Sequence, residues 1–180
     1  LLFAERLLPS RDFATYSIIV TLSSVISSTI GAFGATIFPK YSKAKKITKD
    51  FLKELSTILV VGIIIVTGIS LFSNTLVELI FNVDLDRRLN ELTLLSGISY
   101  LIYSIRGLLA VFLQSIGQPT ISLSITVLGY LLMSGIGFTL IANMGIYGST
   151  ILIGIANIAS LLFYAVYLFL SRYRKKQLLP

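Results

Sequence analysis

The sequence predicts an all-α membrane protein built as a bundle of five transmembrane helices. Three observations lead there. Of the 180 residues, 55% are hydrophobic and only 13% are charged, about half the charged share of a soluble domain. Mean hydropathy is +0.90, more apolar surface than a soluble fold of this length can hide. The charges also leave long gaps. Residues 13–39, 55–77, 92–105 and 107–171 carry none, and a helix crosses about 30 Å of hydrocarbon with about 20 apolar residues. These runs are too long for the roughly ten-residue alternating strands of a membrane barrel.

Each span has its own justification. The first, about 13–38, fills the gap between Asp12 and Lys40, and the second, about 55–76, the gap between Glu54 and Glu78. The third, about 92–115, begins after Glu91 and is interrupted only by Arg106. The run after Arg106 would be roughly 98 Å long as one helix, so it must fold back. Gly117-Gln118-Pro119 supplies one turn, Gly ending a helix and Pro starting the next. Asn143-Met144-Gly145, with Gly148, supplies the other. These breaks define spans of about 120–142 and 147–170.

Charge placement orients the bundle. Lys40, Lys43, Lys45, Lys46, Lys49 and Lys53 cluster in the first connection, and Arg172, Arg174, Lys175 and Lys176 in the tail. Five alternating spans put both on one side, which the positive-inside rule makes cytoplasmic. The other side carries Arg6, Arg11, Arg87 and Arg88 against Glu5, Asp12, Glu78, Asp84, Asp86 and Glu91. The net charge of +7 therefore reads as topology rather than nucleic-acid binding. The expected location is the cytoplasmic membrane, N-terminus outside and C-terminus inside. The chain starts at Leu1 with no signal-peptide pattern. An outside start implies an odd number of upstream spans, so a fragment with a missing N-terminal transmembrane half is expected.

Polar residues then divide the helices by face. The third span carries Ser96, Tyr100, Tyr103, Gly107 and Gln114 within about 80° of arc. The fifth carries Thr150, Asn157, Ser160, Tyr164 and Tyr167 within about 100°. Tyr and Asn need partners away from hydrocarbon, so both stripes are expected to line a wet cavity. The fourth span adds Ser122, Thr126 and Gly129, with Tyr130 at the edge. The first span has a small, hydroxylated face of Ser17, Thr21, Ser24, Ser28, Gly31 and Ala35, the composition of helix packing in membranes. The second, apolar all round at Ile63-Ile64-Ile65-Val66, is expected to face lipid.

Arg106 is the sharpest single residue. It lies roughly 21 Å from the outer end of its span and about 12 Å from the inner end near Gln114. Placing a guanidinium there costs at least about 2.5–3.5 kcal/mol. Either the side chain snorkels to headgroups, or it faces a cavity and meets phosphate, which its planar fork suits.

The sequence has no Cys and no His. That removes thiol chemistry, the commonest general base and the commonest metal ligand. Asp84-Leu85-Asp86 has the form of a glycosyltransferase metal motif, but Arg87-Arg88 adjoin it, and a solvated ion-paired loop is the expectation. No cofactor, no metal and no catalytic residue are expected.

The order of features resembles a known family. Asp12-Phe13-Ala14-Thr15-Tyr16-Ser17 opens a helix that ends at Phe38-Pro39-Lys40-Tyr41-Ser42 before a basic loop. A small-residue turn follows at Gln114-Ser115-Ile116-Gly117-Gln118-Pro119, and a hairpin closes at Gly145-Ile146-Tyr147-Gly148-Ser149. This order resembles the C-terminal half of the polysaccharide, or lipid-linked oligosaccharide, flippases of the multidrug/oligosaccharidyl-lipid/polysaccharide exporter superfamily. The resemblance implies a transporter, not an enzyme, that moves a lipid-linked sugar across the membrane by alternating access between two helical bundles. It implies membrane lipids and the N-terminal half as partners. It places a cation in the central cavity, here Arg106, with Tyr100, Tyr103, Gln114, Asn157 and Tyr164 along the sugar path. The alternatives are a cation-coupled multidrug exporter, which would prefer an intramembrane carboxylate that the five spans lack, a membrane glycosyltransferase or polymerase, and a structural membrane subunit.

Overall fold

The computed structural model describes residues 2–41, 49–81 and 88–177. These residues form six helices and, among them, no strand: α1 (Leu2–Leu7), α2 (Ser10–Tyr41), α3 (Lys49–Leu71), α4 (Ser73–Phe81), α5 (Leu89–Ser115) and α6 (Pro119–Gln177). Four helices are long and apolar enough to cross a membrane: α2, α3, α5 and the stretch Pro119–Leu168 of α6.

The 50 residues of that last stretch would extend about 75 Å as a straight rod. Instead α6 is broken at Gly145, whose φ of 56° and ψ of −130° lie outside helical space. A residue with a side chain rarely adopts such a φ. The two arms fold against each other. A Cβ at Gly129 would lie 2.5 Å from the Ser160 hydroxyl, and one at Gly137 would lie 3.0 Å from Leu152. Advance along the first arm is matched by retreat along the second, so the arms are antiparallel. Gly148 closes the bend, its position abutting the Leu140 carbonyl.

The same registers order the rest. Ile26 and Leu108 of α2 and α5 meet Gly97 and Gly34 respectively, which makes those two helices parallel. Gly62 meets Leu101 while Val66 meets Gly97, so α3 is antiparallel to α5. Tyr147 donates to Glu91 (3.3 Å) near the start of α5, and Tyr167 donates to Gln118 (2.9 Å) just past its end. The second arm of α6 therefore runs parallel to α5. Five segments alternate in direction, with α5 central. Lys40, Lys49 and Lys53 all lie at the end where α2 stops and α3 starts.

The turn after α5 is built as the residues dictate. Gly117 has a φ of 80°, its N–H bonds the Gln114 carbonyl (3.1 Å), and the Gln118 N–H reaches the Leu113 carbonyl (2.9 Å). This pair of bonds is the Schellman motif, which satisfies the last carbonyls of a helix. Pro119, with no N–H to leave unpaired, begins α6.

Several expectations are corrected. The second span does not run unbroken to 76. A turn at Phe72 separates α3 from α4. Beside it the Ser70 hydroxyl donates to the Asn90 backbone carbonyl (3.0 Å), and Ser73 bonds the Asn90 side chain. Nor does the second span face lipid all round. Ile63 and Ile64 are exposed, but Phe51, Ile58, Gly62, Val66 and Ser70 form an inner face. The hydroxylated face of the first span is not the packed one. Thr21, Ser28, Gly31 and Ala35 are exposed, while Ile19, Ser23, Ile26, Ile30 and Ile37 are buried. The hydroxyls on that outer face donate to their own backbone: Ser17 to Phe13 (2.9 Å), Thr21 to Ser17 (2.9 Å) and Ser24 to Thr21 (2.7 Å). Such back-bonding satisfies a hydroxyl within its own helix.

Where α2 ends, an aromatic cluster locks three helices together. Phe51 stacks on Phe112 at 4.1 Å between centroids, and Tyr41 meets both rings edge-on at 5.5 and 5.9 Å. Tyr41 also donates to Glu54 (2.9 Å), which pairs with Lys40.

Candidate functional site

Halfway along the bundle, α2, α5 and both arms of α6 part around a cavity of about 290 Å³. About two turns each of α5 and of the two α6 arms contribute to its walls. Ser27 comes from α2. Tyr100, Tyr103 and Arg106 come from α5, Thr126 to Met133 from the first arm, and Ile153 to Ser160 from the second. The spacing of 100, 103 and 106, one residue per turn, sets all three on one face.

Arg106 dominates the electrostatics. It is 8% exposed, about 26 Å from the start of α5 and about 14 Å from its end by helical rise. Its Nη2 donates to the Thr126 hydroxyl. Its Nε has no hydrogen-bond partner. Among the described residues no carboxylate pairs with it. A guanidinium has five N–H donors and no acceptor, and a buried charged group left short of partners is costly. Arg106 thus holds unspent donor capacity beside an open volume.

The other walls are aromatic and polar. Tyr100 and Tyr103 meet edge-on, their centroids 6.3 Å apart. Tyr103 is 39% exposed and Tyr130 57%, so these rings stand at the cavity's margin. Asn157 and Ser160 are buried in the facing wall.

Of the residues expected from sequence, Tyr100, Tyr103, Arg106 and Asn157 share this cavity. Gln114 and Tyr164 do not line it. Gln114 lies eight residues beyond Arg106, about 12 Å deeper, and its amide sits 3.5 Å from the Ser122 hydroxyl. Tyr164 packs in an apolar cluster with Leu113 and Ile125, its hydroxyl unpartnered. Both share a helical face with the cavity residues but not their depth. The residues that complete the cavity and were not singled out, Ser27, Met133, Ile153 and Ala156, carry no signal in one sequence. Small and apolar side chains are as common in packing seams as in cavities.

The Asp84-Leu85-Asp86 motif lies outside the described residues. Among the described residues, no cluster of three His, Cys, Asp or Glu side chains could hold a metal ion. Comparison with protein-family models, characterised proteins and solved structures finds no match for this chain.

Proposed function

We propose that this chain is the C-terminal bundle of a membrane transporter that carries a lipid-linked sugar across the cytoplasmic membrane, with five crossing segments. The alternating directions of α2, α3, α5 and the two α6 arms support five crossings. A cavity that gathers Arg106, Asn157 and several hydroxyls among apolar side chains supports a carrier role, since polar groups at membrane depth belong where they meet substrate or water. The observation that carries the reading is Arg106, buried and without a carboxylate partner among the described residues, in the wall of that cavity. Arg106 binds the phosphate by paired charge-assisted bonds. Tyr100, Tyr103 and Asn157 hold the adjoining sugar, and the polyprenyl tail stays in lipid. An N-terminal bundle completes the transport path, and rocking between the two bundles alternates access.

Substrate protection tests this. With Met133→Cys, a cavity-lining position, introduced into the Cys-free chain, a small maleimide should label the cavity, and lipid-linked sugar should slow the labelling. Labelling that substrate leaves unchanged, with protein normally inserted, contradicts the assignment.

A further inference from the structure

The short helix α4 carries more apolar surface than the bundle covers. At 100° per residue, Leu79, Leu76, Ile80, Val77 and Phe81 span about 200° of its circumference, and Asn74, Glu78 and Thr75 fill about 100° of the remainder. Ser73 and Val77 are buried, Val77 in one cluster with Leu89 and Leu92 of α5 and Ile19 and Leu22 of α2. Bonds from Ser70 and Ser73 to Asn90 hold the start of the helix in place. The rest of the apolar arc is bare: Leu79 is 81% exposed and Ile80 59%. The polar arc, Asn74, Thr75 and Glu78, is exposed as well. One small helix thus presents two unlike open surfaces, which suit two unlike surroundings.

Its position along α3 says which surroundings those are. The last charge on α3 is Glu54, and residues 55–77 carry none. About 20 residues rising 1.5 Å each cross the hydrocarbon, so a crossing that starts at Leu55 ends at about residue 74. There the chain turns at Phe72 and α4 begins. Continued straight, the helix would carry Leu79 and Ile80 about 8–9 Å past that boundary, into water. Large exposed apolar side chains also lead up to it: Ile63, Ile64 and Leu71 on α3 and Phe72 at the turn.

We propose that α4 lies along the membrane–water boundary, at the end of α3 opposite Lys49. Its Leu79–Ile80 side rests on lipid acyl chains and its Asn74–Glu78 side faces headgroups and water, the arrangement of an interfacial amphipathic helix. The partner of this surface is the bilayer itself. The bundle anchors α4 through Val77 and Ser73, and lipid covers what the bundle leaves bare. The inference rests on α3 crossing the membrane and is independent of the role of Arg106.

The chain has no Trp, so one introduced Trp is its single indole. Three variants, Leu79→Trp, Ile64→Trp and Asn74→Trp, each replace an exposed side chain and leave the core alone. Ile64 lies about 14 Å along α3 from Leu55, near the bilayer centre. Each variant of the full chain is reconstituted in phosphatidylcholine vesicles brominated either close to the headgroup or deep in the acyl chains. Leu79→Trp should lose more fluorescence to the shallow bromines than to the deep ones, and Ile64→Trp the reverse. Asn74→Trp should be quenched by aqueous iodide more strongly than Leu79→Trp. Ile80→Trp should repeat the Leu79→Trp pattern, which guards against a fault peculiar to one variant. Quenching of both Leu79→Trp and Ile80→Trp by iodide and not by bromolipid puts α4 in water and overturns the proposal. Quenching of neither by either agent puts a protein partner over the bare arc and overturns it too, as does stronger quenching of both by the deep bromines. If Ile64→Trp escapes both bromolipids, α3 does not cross the membrane and the five-crossing reading falls with it.

Discussion

Gly148→Ala should destabilise the bundle by prising open the α6 hairpin. A methyl at position 148 would lie 2.6 Å from the Leu140 carbonyl carbon and 3.1 Å from the Ile141 nitrogen. These are backbone atoms, so no side-chain rotation relieves the clash. Overpacking costs about 1–3 kcal/mol, and a backbone obstacle puts this site near about 3. Helix propensity returns about 0.8–1 kcal/mol in favour of Ala, for a net loss of about 2 kcal/mol. For a chain of this length that corresponds to a fall in midpoint of about 4–8 °C. Gly135→Ala is the matched control in the same hairpin: a Cβ there meets nothing within 4 Å, and the change should be neutral or slightly stabilising. The assay is thermal unfolding in detergent, followed by circular dichroism, for wild type and both variants. Equal midpoints for Gly148→Ala and wild type would refute the close antiparallel approach of the two arms.

Three further outcomes are expected. Cysteines at Lys46 and Lys175 should react only from the cytoplasm, and cysteines at Leu85 and Asn143 only from outside; reaction of positions 46 and 85 from one side would defeat the five-crossing arrangement. Phe51→Ala should cost about 3–5 kcal/mol and show coupling to Phe112→Ala in a double-mutant cycle of unfolding, whereas strict additivity would deny the stack between α3 and α5. Asp84→Asn combined with Asp86→Asn should leave sugar export within about tenfold of wild type, or about 1.4 kcal/mol on the barrier; a larger loss with normal insertion would point to chemistry at that loop.

What could be read from the sequence was decided by local chemistry. The chain reversals at Gly117 and Gly145 were legible because each places glycine at a positive φ, and Pro119 marks the following start. The third span was legible to within three residues, as Leu89–Ser115, because Glu91 marks its start and the Gly117–Pro119 turn its end. Long-range contacts left no such trace. The break at Phe72 coincides with Ser70 and Ser73 reaching Asn90, twenty and seventeen positions away, and hydropathy does not register it. Which face of α2 packs was also hidden. In lipid, an isoleucine gains no more from an inner than an outer position by hydrophobicity alone, so the inner face at Ile19, Ile26 and Ile30 had no distinguishing composition. At the site, helical period placed Arg106, Tyr100 and Asn157 on facing surfaces but did not give depth. That is why Gln114 and Tyr164, on the same stripes, lie beyond the cavity.

The most direct measurement is outer-leaflet appearance of lipid-linked sugar, normalised to inserted protein, for the proposed transporter with Arg106→Lys and Arg106→Ala. Lysine keeps the charge but replaces a two-pronged donor with a point charge. The account predicts impaired export for Arg106→Lys and greater impairment for Arg106→Ala. A side chain that only snorkels would tolerate lysine, whose flexible stem also reaches headgroups. Wild-type export by both variants would contradict the phosphate role of Arg106 and leave the cavity without an anion site.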